Sequence, residues 1–175
     1  MIRWLAALIL AAAPALAQVP EPPGFRGEPY RAPVPATLAG AQVIGTDEAI
    51  SLHDAGAIFI DPLPRKQRPE GLPEGTVWRE PVHETIPGAV WLWGAGYENL
   101  SQEERRRFED GLEKASGGDS SVPMVFFCRA ECWMGWNAAK RAVLLGYTGV
   151  RWFPGGIDAW QAVRPLAPAD QKPTE

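Results

Sequence analysis

The sequence predicts an α/β fold with a parallel sheet in a single domain, and three observations support this. Apolar runs alternate along the chain with segments of helical periodicity, the pattern of strands joined by helices. Residues 57–60 form a continuous apolar run, as expected of a strand covered on both faces. Residues 122–146 have the pattern of an apolar strand, a short loop and a helix. The length of 175 residues suits one domain.

The first 17 residues have the layout of a secretory signal peptide: Arg3, an apolar run at 4–13, and Ala-Leu-Ala at 15–17. The apolar run is shorter than the roughly 20 residues that span a bilayer. We therefore predict cleavage after Ala17, export, and no membrane attachment afterwards. Export places the cysteines in an oxidising compartment, where a disulfide is permitted.

The formal net charge of −4 argues against a nucleic-acid partner, which would require a basic face. Residues 18–35 contain six prolines and no periodicity, so residues 18–40 are predicted to form an extended arm. Tyr30 and Arg31 are the candidates for holding this arm on the domain. The folded domain is predicted to span residues 41–165, followed by a C-terminal tail at 166–175.

The predicted strands are short apolar runs. They are residues 41–45, 57–60, 89–92, 122–127 and 150–153. Asp61 and Pro62 end the second of these, because proline cannot donate to a strand ladder. The next segment, residues 63–85, is long, polar and rich in proline and glycine, which is typical of a functional or loosely ordered loop.

Four helices are predicted from apolar periodicity and from capping residues. Thr46 stands where the N-cap of the first belongs. Ser101 and Glu104 form a capping box for the second, and Gly117 ends it. The third follows the loop that carries the cysteines, and the fourth is a short segment around residue 157.

Cys128 and Cys132 are the only cysteines in the sequence, and they lie on the predicted turn between a strand and a helix. Backbone amides at a helix N-terminus stabilise an anion, and a cysteine there can have its pKa lowered to about 3.5–7.5. The sequence therefore predicts Cys128 as an attacking thiolate and Cys132 as the resolving thiol. Backbone amides of the loop would form an anion cradle. Its residues are Arg129, Ala130, Glu131 and Trp133.

The spacing of the two cysteines leaves three interpretations open. A loop this short gains only about 2 kcal/mol from a disulfide, so a functional pair is favoured over a structural disulfide and over two inert core thiols. A metal site is not predicted, because structural zinc takes four ligands, which two cysteines and a distant histidine do not supply. The sequence requires no cofactor, and it identifies no ligands for a redox cofactor.

Four more residues are candidates for the rim of a pocket at this site. Trp133 and Trp136 flank the thiol loop, where they would hold a planar ligand or dock a partner; the alternative is packing of the helix on the sheet, above all by Trp136. Asp61 ends a strand at the carboxyl edge of the sheet, where α/β folds bind ligands, although a simple Asp-Pro turn explains it equally well. His83 lies in the long loop ahead of residue 86.

Four segments occur in the order and spacing of a known family. They are residues 57–61, Ile-Pro-Gly-Ala-Val at 86–90, the Cys128 loop, and Gly-Gly-Ile-Asp-Ala-Trp at 155–160. Over roughly residues 41–165 the chain thereby resembles the rhodanese-like domain. The resemblance implies a central five-stranded parallel sheet flanked by helices, with the cysteine loop as a cradle of backbone amides.

Residues 128–142 and 146–154 also resemble a subfamily, the PQQ-dependent catabolism-associated CXXCW motif proteins. Here three residues, rather than two, separate Cys128 from Cys132. The resemblance implies a periplasmic protein associated with alcohol oxidation by pyrroloquinoline-quinone (PQQ) enzymes. Its partners would be a PQQ-dependent dehydrogenase or that enzyme's accessory proteins. The association with these enzymes does not identify a reaction for this protein.

The sequence departs from ordinary rhodaneses at three points. The loop lacks the glycine and the arginine that commonly follow the nucleophile, it is one residue longer, and Thr85 replaces the usual histidine before Ile-Pro-Gly. A cradle without that arginine has less charge with which to hold an oxyanion such as thiosulfate. A persulfide on Cys128 would also be attacked by Cys132 beside it.

Three functions are therefore carried forward as hypotheses. The first is a periplasmic accessory protein that uses the two cysteines for thiol–disulfide redox or persulfide relay. The second is a non-enzymatic module that binds a redox cofactor or docks on a quinoprotein dehydrogenase. The third is a thiosulfate-type sulfurtransferase.

Overall fold

The computed structural model describes residues 18–170, so the predicted signal peptide at 1–17 lies outside the described residues. The strands are β1 (Gln42–Val43), β2 (Ile58–Asp61), β3 (Glu84–Thr85), β4 (Val90–Trp91), β5 (Met124–Phe127), β6 (Val150–Phe153) and β7 (Ala167–Pro168). The helices are α1 (Thr46–Asp54), α2 (Gln102–Ser116), α3 (Trp133–Leu144) and α4 (Gly156–Gln161). No helix in this part of the chain is long and apolar enough to cross a membrane.

Five strands form one parallel sheet in the order β1-β6-β5-β2-β4, which confirms the predicted α/β fold. The central strand β5 is buried along its whole length, as its unbroken apolar sequence requires. In register, Ile60 pairs with Phe126, and Phe126 pairs with Trp152. Since the strands are parallel, their carboxyl ends share one edge, and this brings Asp61 and Cys128 to neighbouring positions.

Apolar side chains cover both faces of the sheet. One cluster joins the sheet to α2 and α3 and contains Phe108, Phe126 and Trp136. The other joins it to α1 and α4 and contains Phe59 and Trp160. A two-layered apolar core of this kind holds the strand ends, and therefore the loops that follow them, in fixed positions.

The helix ends follow local chemistry with one exception. The predicted capping box at Ser101 and Glu104 is present, and Gly117 ends α2 in the left-handed conformation. Thr46, predicted as the N-cap of α1, is instead the first helical residue. The cap is Gly45, and it makes no side-chain hydrogen bond because it has no side chain to accept one.

The predicted tail from residue 166 begins as part of the fold. Strand β7 pairs antiparallel with β3, so Ala167 lies opposite Thr85 and the amide of Ala169 donates to the His83 carbonyl. This contact lies some 80 residues away in sequence, and two-residue strands give no periodic signal from which to predict it.

The predicted loop at 63–85 contains no helix or strand as far as residue 83, but its last two residues form β3. Local bonds also fix the rest of the segment. The Arg65 guanidinium donates to both carboxylate oxygens of Glu80, at 2.9 and 2.6 Å. The indole N–H of Trp91 donates to the Leu63 carbonyl at 2.7 Å. These bonds fold the long loop back over the carboxyl end of β2 and β4.

The N-terminal arm, residues 18–40, lies along α3. Its backbone carbonyls accept hydrogen bonds from the indole N–H groups of Trp133 and Trp136, which donate to Pro33 and Thr37 at 3.1 Å each. Asn137 exchanges side-chain hydrogen bonds with the backbone of residue 26. An arm without periodicity is thus held by side chains of the helix it covers.

Candidate functional site

Strand β5 and helix α3 position the two cysteines. Cys128 follows the last residue of β5, and Cys132 is the N-cap of α3. Helix α4 approaches the loop from the other side, where the Ile157 amide donates to the Cys128 carbonyl at 2.8 Å. Gly156, at a φ of +52°, permits this approach, because a Cβ there would collide with that carbonyl.

Both cysteines are reduced, and both side chains are buried, with 2% of Cys128 and 4% of Cys132 exposed. The Cys128 sulfur lies 3.2 Å from the Cys132 carbonyl oxygen and accepts a hydrogen bond from the Gly135 amide at 3.1 Å. Tyr30, Leu63 and other apolar side chains pack against the pair. Reagents therefore reach the sulfurs only when this cover moves.

The electrostatics of the pair favour Cys132 as the thiolate, whereas the sequence predicted Cys128. Burial raises the pKa of the Cys128 thiol well above its usual value, and the neighbouring sulfur of Cys132 adds to the rise. The pKa of Cys132 falls to about 6, first because the Cys128 thiol donates to its sulfur and then through the amide of Met134. The lowered pKa therefore belongs to Cys132, at the helix N-cap, and the raised one to the more deeply buried Cys128.

The predicted anion cradle is occupied by other parts of the chain. The Ala130 amide donates to the Asp158 carboxylate at 2.8 Å, and the Trp133 amide donates to the Tyr30 carbonyl at 2.8 Å. Arg129 also approaches Asp158, at 3.9 Å. Glu131 adopts a positive φ of 49°, and its carbonyl accepts from the amide of residue 32 in the arm. Two of the loop amides that would hold an external oxyanion are thus already paired.

Asp158 is a residue of this site that the sequence reasoning missed. It ion-pairs with Arg31 of the arm at 3.8 Å as well as with Arg129, so it links the arm, the loop and α4. The Gly-Gly-Ile-Asp sequence does not indicate this role, because the partners Ala130 and Arg31 lie 28 and 127 residues earlier in the chain. Arg31 does hold the arm, through a strand-like bridge to Cys132.

Trp133 and Trp136 do not form an exposed rim. Only 3% of Trp133 and none of Trp136 is exposed, and the two rings pack edge to face at 5.3 Å. The N-terminal arm covers both rings, so they do not form the surface for docking a partner that the sequence suggested. They belong to the core cluster that joins α3 to the sheet.

Asp61 and His83 are brought together. The buried Asp61 carboxylate accepts from the Leu63 amide at 2.9 Å, from His83 Nε2 at 2.8 Å and from the Thr85 hydroxyl at 2.6 Å. The imidazole stacks on the Trp91 ring at 4.3 Å between centroids. Thr85 stands where rhodaneses usually have a histidine. Its hydroxyl and His83 therefore bind the same carboxylate.

A cavity of about 220 Å³, which we call the Leu63 cavity, lies beside these residues. Its walls are Leu63, Pro64, Arg65, Lys66, Glu80, Pro81, Val82, His83, Trp91 and Arg129. Leu63 also packs against the buried cluster of Cys128, Cys132 and Met134, so the cavity and the cysteines share a side chain in their surroundings. Within residues 18–170, no group of three His, Cys, Asp or Glu side chains is arranged to hold a metal ion.

Asp61→Asn is expected to lower the free energy of unfolding by about 1–3 kcal/mol, because the amide group cannot accept all three hydrogen bonds and leaves a buried donor unpaired. Urea denaturation would measure the loss. Asp54→Asn is the matched control, since the exposed Asp54 pairs only with Arg164 and His53 at the surface. Equal stability losses in the two variants would show that the Asp61 cluster does not hold the loop.

The comparison with known protein families agrees with the observed architecture. The model of the rhodanese-like domain family matches residues 52–163, which is more than half of the chain. A solved structure, a human single-domain sulfurtransferase, shares 23% sequence identity, with a TM-score of 0.41, over 71% of this chain and 99% of its own. No curated protein matches the sequence significantly.

Proposed function

This chain belongs to the family of rhodanese-like domains, and from that premise we propose that it is a thiol–disulfide oxidoreductase. Cys132 is the attacking thiolate and Cys128 the resolving thiol. The observation that carries the proposal is the pair itself: two free, buried cysteines in one loop, with the Cys128 sulfur 3.2 Å from the Cys132 carbonyl, the pKa of Cys132 lowered to about 6 and that of Cys128 raised. A pair of that kind is suited to two-step disulfide exchange.

The exchange takes place between the two cysteines and one disulfide of a partner protein, in two steps. The Cys132 thiolate attacks one sulfur of the partner disulfide, so a mixed disulfide forms and a partner thiolate leaves. The Cys128 sulfur then attacks Cys132, and its proton passes to the second departing partner thiolate. The chain ends with a Cys128–Cys132 disulfide, and the partner has gained two electrons as one thiolate and one thiol; the thiolate can then take a proton from solvent.

Persulfide relay and thiosulfate-type sulfur transfer receive less support from the same geometry. The Ala130 and Trp133 amides, which would hold a sulfur oxyanion, are paired with Asp158 and Tyr30. A persulfide on either sulfur would also face the second thiol at hydrogen-bond distance, which would discharge it. Disulfide exchange requires neither an oxyanion cradle nor an isolated sulfur.

We place this activity in the periplasm, as an accessory function of PQQ-dependent alcohol catabolism. The support is the signal-like sequence at 1–17 and the resemblance of residues 128–142 and 146–154 to the CXXCW motif proteins. A quinoprotein dehydrogenase or its accessory protein is then the partner whose disulfide is reduced. The rival hypothesis, docking through exposed tryptophans, loses support because the arm covers Trp133 and Trp136.

Equilibration of the purified protein, without residues 1–17, against glutathione buffers of graded potential tests the proposal. We expect a single two-electron transition above about −300 mV, the range in which a disulfide is labile enough to exchange. A disulfide that forms but resists reduction below that potential would make the pair structural. Cyanolysable sulfur on the protein after thiosulfate treatment would favour the sulfurtransferase instead.

A further inference from the structure

The Leu63 cavity has a surplus of positive charge at its mouth. Three of its walls carry cations: Arg65, Lys66 and Arg129. The one carboxylate among them, Glu80, is neutralised by the bidentate contact with Arg65. Lys66 is exposed, and the side chain of Arg129 is 55% exposed with its nearest carboxylate, Asp158, at 3.9 Å. Two cations therefore remain to attract an anion into the cavity.

The rest of the wall is apolar and held in place. Leu63, Pro64, Pro81, Val82 and the Trp91 ring supply the apolar surface. The Trp91 indole holds the Leu63 carbonyl at 2.7 Å, and the buried Asp61 holds the Leu63 amide at 2.9 Å. A preformed apolar pocket with a few polar groups is the usual form of a small-molecule site.

Size limits the ligand further. The cavity of about 220 Å³ is smaller than the roughly 300–1,000 Å³ of sites for drug-sized molecules, so a small metabolite fits it. An inorganic oxyanion would leave the apolar wall without a partner. A neutral apolar molecule would leave the two cations unused.

We propose that the Leu63 cavity binds a small organic anion, with its carboxylate or similar group at Lys66 and Arg129 and a short apolar body against Leu63, Pro81 and Val82. This site goes beyond the proposed thiol–disulfide exchange and does not depend on it, because binding requires no reaction of either sulfur. Since Leu63 packs against the cluster that contains both cysteines, the bound molecule would contact a side chain next to that cluster.

Hexanoate, hexanamide and acetate together test the proposal on the reduced protein. Hexanamide has the same apolar chain without the charge, and acetate has the charge without the chain. By isothermal titration calorimetry we expect hexanoate to bind about tenfold more tightly than either, as a charge-assisted contact and apolar burial together imply. The NMR signal of the Trp91 indole N–H should shift with hexanoate, which locates the site.

A charge-reversal substitution at the mouth of the Leu63 cavity tests the role of the cations. Lys66→Glu should weaken hexanoate binding about tenfold, whereas Lys114→Glu, at an equally exposed lysine on α2, should leave it unchanged. Both positions are exposed, so both variants should fold like the parent. The proposal is overturned if hexanamide or acetate equals hexanoate, if the two lysine variants behave alike, or if the Trp91 signal stays fixed at saturation. None of these outcomes affects the redox titration of the cysteines.

Discussion

Replacing Cys132 with serine is expected to slow alkylation of the native protein by iodoacetamide at pH 7 about 10- to 100-fold. With its pKa at about 6, Cys132 is mostly thiolate at that pH. Cys128, left alone in the variant, stays protonated because its burial keeps the pKa raised. The higher intrinsic reactivity of a more basic thiolate offsets part of this difference, which is why the factor is smaller than the ratio of ionised fractions. Mass spectrometry of timed samples gives the rates.

Two variants of Cys128 test the cause of the low pKa. Cys128→Ser keeps a hydroxyl that donates to the Cys132 sulfur, so the midpoint of alkylation against pH should stay near 6. Cys128→Ala removes the donor, and the midpoint should move upward. Should the Cys132→Ser protein react as fast as the parent, Cys128 would be the nucleophile and the proposed order of attack would be wrong.

Trp136→Ala is expected to lower the free energy of unfolding by about 3–5 kcal/mol, the usual cost of truncating a fully buried large aromatic side chain. The ring has no exposed surface, and it packs against Trp133 between the sheet and the arm. The substitution also removes the hydrogen bond to the Thr37 carbonyl that holds the arm. Urea denaturation measures the loss, and faster proteolysis within residues 18–40 would report release of the arm.

Trp136→Phe separates packing from the hydrogen bond. It keeps most of the ring volume but cannot donate to Thr37, so a loss of only about 1–2 kcal/mol is expected. An alanine variant as stable as the phenylalanine variant would contradict a core role for this ring. Trp136 would then have to be accessible to a partner, as the docking hypothesis requires.

Local patterns explain why most of the fold was predictable. The unbroken apolar sequence of β5, the capping box at Ser101 and the glycine at 117 each act over a few residues, so the sequence shows them directly. The placement of both cysteines between β5 and α3 follows from the same patterns. Thr46 was misassigned because Gly45 can also cap a helix, and the sequence does not say which residue leaves the helical conformation first.

The state of the two sulfurs was not predictable in the same way. Position on a strand-to-helix turn predicted a lowered thiol pKa in this loop and assigned it to Cys128, whereas the surroundings of the two sulfurs favour Cys132. That difference depends on which sulfur is buried more deeply and which one accepts a hydrogen bond. Part of the burial comes from Tyr30 of the arm and from Leu63, which are distant in sequence from the loop.

By itself, the sequence determined the parallel sheet, the two-cysteine loop at its carboxyl edge and the family of rhodanese-like domains, because each rests on local pattern and motif spacing. Only the tertiary structure decided how the surroundings of the two sulfurs differ, that Asp158 and Tyr30 occupy two of the loop amides, and that the arm covers the tryptophans. These outcomes depend on burial and on contacts between distant segments. Such contacts produce no periodic pattern in the sequence, because the residues that form them come together only when the chain folds.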